Sequence, residues 1–143
     1  MVTGRNPEVV GYLNIPGTGI HYPVVQGPDN TKYLTRDATG AKSVRGAIFA
    51  DVRCSPYVKG DSAARSTILY GHNIRDGTMS GQLDSYGSSA GFYKAHPLVQ
   101  YVDAAGNGGL WRVYSVRKST TRSTWAAWSG PRRTGCPPSR SGT

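Results

Sequence analysis

The sequence predicts a single mainly β domain built from short strands joined by turns. A length of 143 residues allows one domain. The 19 glycines and 9 prolines argue against a helical bundle. Short apolar runs recur between Gly and Pro turn signals, which is the pattern of strands separated by tight connections.

The first elements follow from this pattern. Residues 9–15 predict a strand that ends at the turn signal Pro16-Gly17, and residues 20–25 predict its hairpin partner. Asp29-Asn30 then provides a cap for a short helical turn that runs to Leu34.

The middle of the chain predicts two more strands. Residues 46–51 read as a buried strand, residues 53–65 as a polar loop, and residues 67–71 as the strand that leads directly into His72. Histidine is the side chain best suited to carry a proton near neutral pH, and strand ends are where scaffolds often present catalytic groups. His72 is therefore a candidate catalytic residue that requires a nucleophile.

The elements after His72 are mixed. Met79, Leu83 and Tyr86 have helical spacing, with Thr78 as the N-cap. The other predicted elements are a helical turn at residues 92–96, strands at residues 98–103 and 110–116, and a turn at residues 104–109.

The charge is concentrated at the C-terminal end. Residues 1–103 hold ten Lys or Arg and all eight acidic residues, whereas residues 104–143 hold seven basic residues and no acid. A basic tail of this kind can bind nucleic acid or anionic surfaces, but it is also typical of a solvated end. The nearly neutral body and the lack of a mixed aromatic and basic motif argue against a nucleic-acid partner.

Residues 119–143 differ in composition from the rest. Sixteen of these 25 residues are Ser, Thr, Gly or Pro, and none is Val, Ile, Leu, Phe, Met or Tyr. Such a segment cannot bury enough apolar surface to offset its conformational entropy. We therefore divide the chain into a folded portion, residues 1–118, and a basic tail, residues 119–143, that is disordered or translated out of frame.

The remaining general features are negative. No apolar run is long enough to span a membrane, and no signal peptide is recognisable. Cys54 and Cys136 are compatible with one bridge or two free thiols, and they lack the paired spacing of a zinc site.

The order of motifs in residues 6–117 resembles that of class B sortases. The blocks that carry the resemblance are Asn6-Pro7-Glu8-Val9-Val10-Gly11-Tyr12-Leu13-Asn14-Ile15-Pro16-Gly17-Thr18, Ile20-His21-Tyr22-Pro23-Val24-Val25-Gln26, Asp29-Asn30 with Tyr33-Leu34, Gly46-Ala47-Ile48-Phe49-Ala50-Asp51, Tyr70-Gly71-His72-Asn73 and Asp76-Gly77-Thr78-Met79. A helix through Leu83 and Tyr86, followed by Phe92 and His96-Pro97, continues the same order.

The resemblance implies a closed sortase-like β-barrel with short helices and the activity of a cysteine transpeptidase. In such Gram-positive enzymes a thiolate attacks a sorting signal of a secreted protein, and the resulting thioester is resolved by a cell-wall precursor amine. A histidine transfers the protons, and an arginine stabilises the charge on the carbonyl oxygen. The resemblance implies no metal or cofactor, a place at the extracellular membrane face or cell wall, and a parent protein that is membrane-anchored outside this chain.

Three residues match family positions. His72 matches the catalytic histidine, and Asn30 and Leu34 match positions that line the substrate groove. For the last two, a turn cap and a core residue are equally good interpretations. His21 and His96 are interpreted as packing or turn residues, and Cys54 as a free or buried structural thiol.

The resemblance does not extend to the nucleophile. The family places it in a Thr-Leu-x-Thr-Cys block on a late strand, with the arginine on the next strand, and neither strand is recognisable here. Cys136 and Arg140 are the remaining candidates for the thiol and the arginine, but Pro137-Pro138 is incompatible with a regular central strand. We therefore expect a barrel that is incomplete at its C-terminus.

Three functional interpretations remain open. The first is a sortase-type transpeptidase, or thiol protease, and the sequence does not decide whether this chain is active. The second is an inactive remnant that binds a sorting peptide without cleaving it. The third is an anionic-surface or nucleic-acid binder that acts through the basic tail.

Overall fold

A computed structural model describes residues 6–54, 56–57, 67–72, 74, 76, 78–79, 81–113 and 116, together with the backbone of residues 125–128. The described chain forms one mixed sheet with two short helices, α1 and α2. Its strands are β1 (Val9–Asn14), β2 (His21–Val25), β3 (Ile48–Ala50), β4 (Leu69–His72), β5 (Leu98–Asp103), β6 (Gly108–Arg112) and β7 (Trp125–Trp128). The helices are α1 (Asp84–Ser88) and α2 (Ala90–Ala95), and short 3-10 helices span Lys32–Leu34 and Gly81–Leu83.

The strands lie in the order β6-β5-β1-β2-β3-β4-β7. All neighbouring pairs are antiparallel except β2 and β3, which are parallel. Within the described residues the sheet is open, with β6 at one edge and β7 at the other. The expectation of a closed barrel is therefore wrong for this structure, because closure requires every strand to have two neighbours.

One face of the sheet packs against the larger apolar cluster. The alternation of strand side chains places every second residue on this face, as in β5, where Val99, Tyr101 and Asp103 are buried and the residues between them are exposed. The buried members of the cluster are Val10, Leu13, Ile15, Ile20, Val24, Ile48, Ala50, Leu69, Met79, Val99 and Tyr101.

A second, smaller apolar cluster includes the residues of β2 and β3 that are next to these ones in sequence. Its buried members are Val9, Val25, Tyr33, Ala47 and Phe49, with Leu34, Ala38 and Tyr70 packed against it. This cluster matters for function because it joins the Lys32–Leu34 turn to the face of β4 on which alternate residues Tyr70 and His72 lie.

The predicted helix from Met79 to Tyr86 is shorter than expected. Met79 has φ of 53°, in the left-handed region, so it cannot belong to a right-handed helix. Its backbone N–H instead donates to the Tyr22 hydroxyl at 2.9 Å, and its side chain is buried. Thr78 is consequently not the N-cap of a helix; its amide and hydroxyl both bind the Asp76 carboxylate.

The second predicted helical turn is present as α2. Ser89 caps it, accepting from the Phe92 amide at 3.2 Å, and the helix ends before Pro97. The hairpin after it is also as predicted, although β6 begins at Gly108 and ends at Arg112 rather than covering residues 110–116.

Strand β7 was not predicted from the sequence. Its backbone pairs with β4, with Leu69 opposite Trp128 and His72 opposite Trp125. The segment Trp-Ala-Ala-Trp has no aliphatic alternation, so only its pairing with β4 defines it as a strand. The rest of the tail lies outside the described residues, and the division at residue 118 stays a prediction.

Candidate functional site

His72 is the last residue of β4 and is half-buried. Its ring nitrogen Nε2 lies 2.7 Å from the backbone carbonyl oxygen of Leu34. A carbonyl oxygen only accepts hydrogen bonds, so this contact requires the proton of the neutral imidazole to sit on Nε2. Nδ1 is then the nitrogen with a free electron pair, and it is the atom able to take up a proton.

Leu34 brings one candidate groove residue to the histidine. It ends the 3-10 helix Lys32–Leu34, and its half-buried side chain packs against the smaller apolar cluster. The structure therefore joins the predicted catalytic residue and this predicted groove residue through a direct contact.

Asn30 stabilises the loop that precedes the 3-10 helix Lys32–Leu34. Its side-chain oxygen Oδ1 accepts from the amide of Val52 at 2.9 Å, which ties the loop before the 3-10 helix to the chain after β3. Asp29 provides the turn cap, since its Oδ1 accepts from the amides of Thr31 and Lys32. Of the Asp29-Asn30 pair, Asp29 is therefore the residue that binds amides of the turn, although Thr31 occupies the N-cap position.

A buried carboxylate, Asp51, directly follows β3, the strand next to β4, and the sequence pattern did not predict a role for it. Asp51 is fully buried, and its carboxylate accepts from the Tyr70 hydroxyl at 2.7 Å and from Nε and NH2 of Arg53 at 3.0 and 2.9 Å. Burial acts to raise the pKa of Asp51, but the hydrogen bonds from Arg53 and Tyr70 outweigh it and hold the pKa well below its usual range. A polar residue at the end of an apolar strand, followed by an arginine two positions later, was the available signal.

Tyr70 links this carboxylate to the histidine strand. Burial, together with the hydrogen bond to Asp51, raises the pKa of Tyr70 to about 12, so the phenol stays protonated as a donor. Tyr70 and His72 are two residues apart and therefore lie on the same face of β4. The hydrogen bond from Tyr70 to Asp51 thus fixes the strand immediately before the histidine.

The other predicted residues are distributed as follows. His96 Nδ1 donates to the carbonyl oxygen of Pro16 at 3.1 Å, which supports its interpretation as a turn residue, and His21 is exposed. Cys54 is buried but disulfide-bonded, so the interpretation of a free thiol is wrong. The sequence has one other cysteine, Cys136, which lies outside the described residues, as does Arg140.

Two general features concern the described part of the chain alone. There, no group of three or more His, Cys, Asp or Glu side chains is arranged to hold a metal ion. Over the same residues, no helix has the length and apolar character needed to cross a membrane.

Comparisons with known proteins define the class. Sortase B of Staphylococcus aureus is 33% identical over 120 residues, covering 84% of this chain and 47% of the relative. Sortase B of Listeria monocytogenes is 34% identical over 116 residues, covering 81% of this chain and 45% of the relative. The chain thus spans about half the length of these curated relatives. No protein-family model matches it.

Solved structures agree with this result. A Staphylococcus aureus sortase B–substrate complex matches with a TM-score of 0.74 and 32% identity, over 85% of this chain and 54% of that one. A structure of Bacillus anthracis sortase B in complex with AAEK2 matches with a TM-score of 0.74 and 38% identity, over 84% of this chain and 53% of that one. The open β sheet with its histidine strand is a sortase-type fold. Within that class, the chain belongs to the class B sortases.

Proposed function

We propose that this chain supplies the peptide-binding and proton-transfer part of a sortase-type cysteine transpeptidase. The observation that carries the proposal is the 2.7 Å contact between His72 Nε2 and the carbonyl oxygen of Leu34, a residue that we propose lines the substrate groove. Membership of the class B sortases adds support, since one of the matching structures is a sortase B–substrate complex. The substrate would be a sorting signal of a secreted protein, and the second substrate a cell-wall precursor amine.

The reaction assigns His72 two proton transfers. A cysteine thiolate attacks the backbone carbonyl carbon, the carbon–nitrogen bond breaks, and the imidazolium donates its proton to the departing amine. The neutral imidazole then takes a proton from the incoming amine as that amine displaces the thiolate from the thioester. Protonation at Nδ1 serves both steps, because Nε2 keeps its proton for the Leu34 carbonyl.

A second candidate function is peptide binding without catalysis. It is favoured by the disulfide at Cys54, which is the sole cysteine among the residues that the structure describes. A bonded sulfur is not a nucleophile. Because Cys54 and Cys136 are the two cysteines of the sequence, the first candidate requires Cys136 in its reduced form. Cys136 and Arg140 remain the proposed thiol and oxyanion partner of that candidate, with the reaction taking place at the cell surface of a Gram-positive organism.

Binding is the first part of the test. A fluorescent form of the substrate present in the Staphylococcus aureus complex would be titrated with the chain, and anisotropy would give the affinity. We expect Leu34→Ala to weaken binding roughly tenfold. Complete burial of a leucine side chain contributes about 1.5–3 kcal/mol, and a tenfold change in affinity corresponds to about 1.4 kcal/mol. Val44→Ala is the matched control, since Val44 is 93% exposed. Equal affinities for the two variants would contradict the proposed groove.

Catalysis is the second part. The reduced chain would be incubated with the same substrate and examined by intact mass spectrometry for a covalent acyl adduct. An adduct that disappears in Cys136→Ala and fails to turn over in His72→Ala supports the transpeptidase. Binding with no adduct supports the non-catalytic candidate. Binding that weakens with added salt and is unchanged by Leu34→Ala would instead support the anionic-surface binder.

A further inference from the structure

The His72 ring rests against the backbone of Gly46, which precedes β3. Gly46 has φ of +63°, and a Cβ atom placed there would lie 2.9 Å from Cδ2 of His72. The same Cβ would lie 2.5 Å from the carbonyl oxygen of Tyr33 and 3.0 Å from that of Leu34. Any side chain at residue 46 therefore displaces the ring, the two carbonyl groups beside it, or both.

Two adjacent ring atoms are held in this way. Cδ2 faces the α-carbon of Gly46, and Nε2 donates to the Leu34 carbonyl at 2.7 Å. The two backbone segments are themselves joined, since the Ala47 amide donates to the Tyr33 carbonyl at 3.0 Å. The contacts that hold these two ring atoms are thus with backbone rather than with side chains.

The residue before Gly46 holds the chain that follows the histidine. NH1 of Arg45 lies 2.9 Å from Oδ2 of Asp76 and 2.5 Å from Oγ1 of Thr78. Gly46 therefore lies beside the histidine ring, and Arg45 binds the chain four and six residues after it.

We propose that Gly46 is a positioning residue for His72, and that its missing side chain sets the ring orientation and the Nε2-protonated tautomer. The catalytic meaning of this tautomer rests on the proposed function, because proton transfer at Nδ1 requires Nε2 to be occupied. The positioning itself is a property of the free chain and needs no substrate.

The test is nitrogen-15 NMR of the histidine rings in the full chain. For the wild-type protein with its imidazole in the neutral form, we expect the Nε2-protonated tautomer of His72 and a nuclear Overhauser contact between its Hδ2 and the Hα protons of Gly46. In Gly46→Ala, the ratio of the Nε2-protonated to the Nδ1-protonated tautomer should fall roughly fivefold. A change of this size corresponds to the loss of one ordinary hydrogen bond.

Gly40→Ala is the matched control. Gly40 has φ of +89°, so alanine there suffers a comparable backbone penalty, but no heavy atom lies within 4 Å of its Cβ position. Its His72 signals should match those of the wild type. Equal tautomer shifts in the two variants would overturn the proposal, because strain alone would then explain them.

The wild-type spectrum decides the matter if Gly46→Ala does not fold. Random-coil imidazole shifts, a mixture of tautomers or no contact to Gly46 would each overturn the proposal. Failure of the proposed function is distinguishable, since a chain that neither binds the sortase substrate nor is acylated by it still reports the ring geometry.

Discussion

Replacing Tyr70 with phenylalanine removes one oxygen atom and with it the hydrogen bond to Asp51. The Tyr70 hydroxyl donates to Oδ2 of Asp51 at 2.7 Å. Because Asp51 is 0% exposed, its carboxylate has no ready access to a replacement water molecule. The substitution therefore leaves a buried charge with one donor fewer.

The expected loss of stability is moderate. Hydrogen bonds to charged groups contribute about 1.5–3 kcal/mol. Arg53 continues to bind the same oxygen through NH2 at 2.9 Å, so the carboxylate is not left unpaired. We therefore expect Tyr70→Phe to lower the free energy of unfolding by about 1.5–2 kcal/mol, which is the lower part of that range.

Urea denaturation followed by circular dichroism at pH 7 measures this change. Tyr12→Phe is the control, because the same atom is removed from a side chain that is 45% exposed, and its cost should stay below about 0.5 kcal/mol. Equal losses in the two variants, or a gain in stability for Tyr70→Phe, would refute the reasoning.

The dependence on pH provides an independent check. The folded pKa of Asp51 is depressed, so its stabilising effect is present above the unfolded value of about 4 and is lost as the pH falls further. The pKa of Tyr70 is raised to about 12, so the effect of the neutral phenol is present below about pH 10 and is lost as the pH rises toward 12. The difference between wild type and Tyr70→Phe should shrink in both directions, and a constant difference would contradict the assignment.

Three further predictions concern packing, ion pairing and the disulfide. Val24→Ala should cost about 2 kcal/mol in urea denaturation, because Val24 is 0% exposed, whereas Val44→Ala, at 93% exposure, should change stability by less than about 0.5 kcal/mol. The Arg45–Asp76 pair is half-exposed, so Asp76→Asn should lower stability only slightly, and a loss that grows with added salt would contradict an ion pair. Cys54 should resist a thiol reagent until the protein is reduced, and peptide mass spectrometry that finds it modified beforehand would contradict the bond.

The sequence predicted the strands well where the pattern is local. In β5 the alternation of apolar and polar residues and the turn after Asp103 set both the strand and its face. The region around Met79 shows the limit of such patterns. Helical spacing predicted a helix there, but the hydrogen bond from the Met79 amide to Tyr22, a residue distant in sequence, fixes a left-handed backbone instead.

The candidate site was predictable only in part. His72 was found because it ends an apolar strand, and the resemblance to sortases gave it a role. Its contact with the Leu34 carbonyl joins residues 38 positions apart, and the burial of Asp51 beside Tyr70 depends on strand pairing. Such contacts arise from tertiary packing, and a local sequence pattern does not predict them.

The most direct test is chemical-shift mapping of the isotope-labelled chain with the substrate present in the Staphylococcus aureus sortase B complex. If Leu34, Asn30 and His72 line a substrate groove, their signals are the ones that shift when that substrate is added. Saturating shifts in these residues would show that the chain retains a sortase-type groove beside its histidine. No shifts, or shifts limited to the basic residues after residue 104, would contradict it.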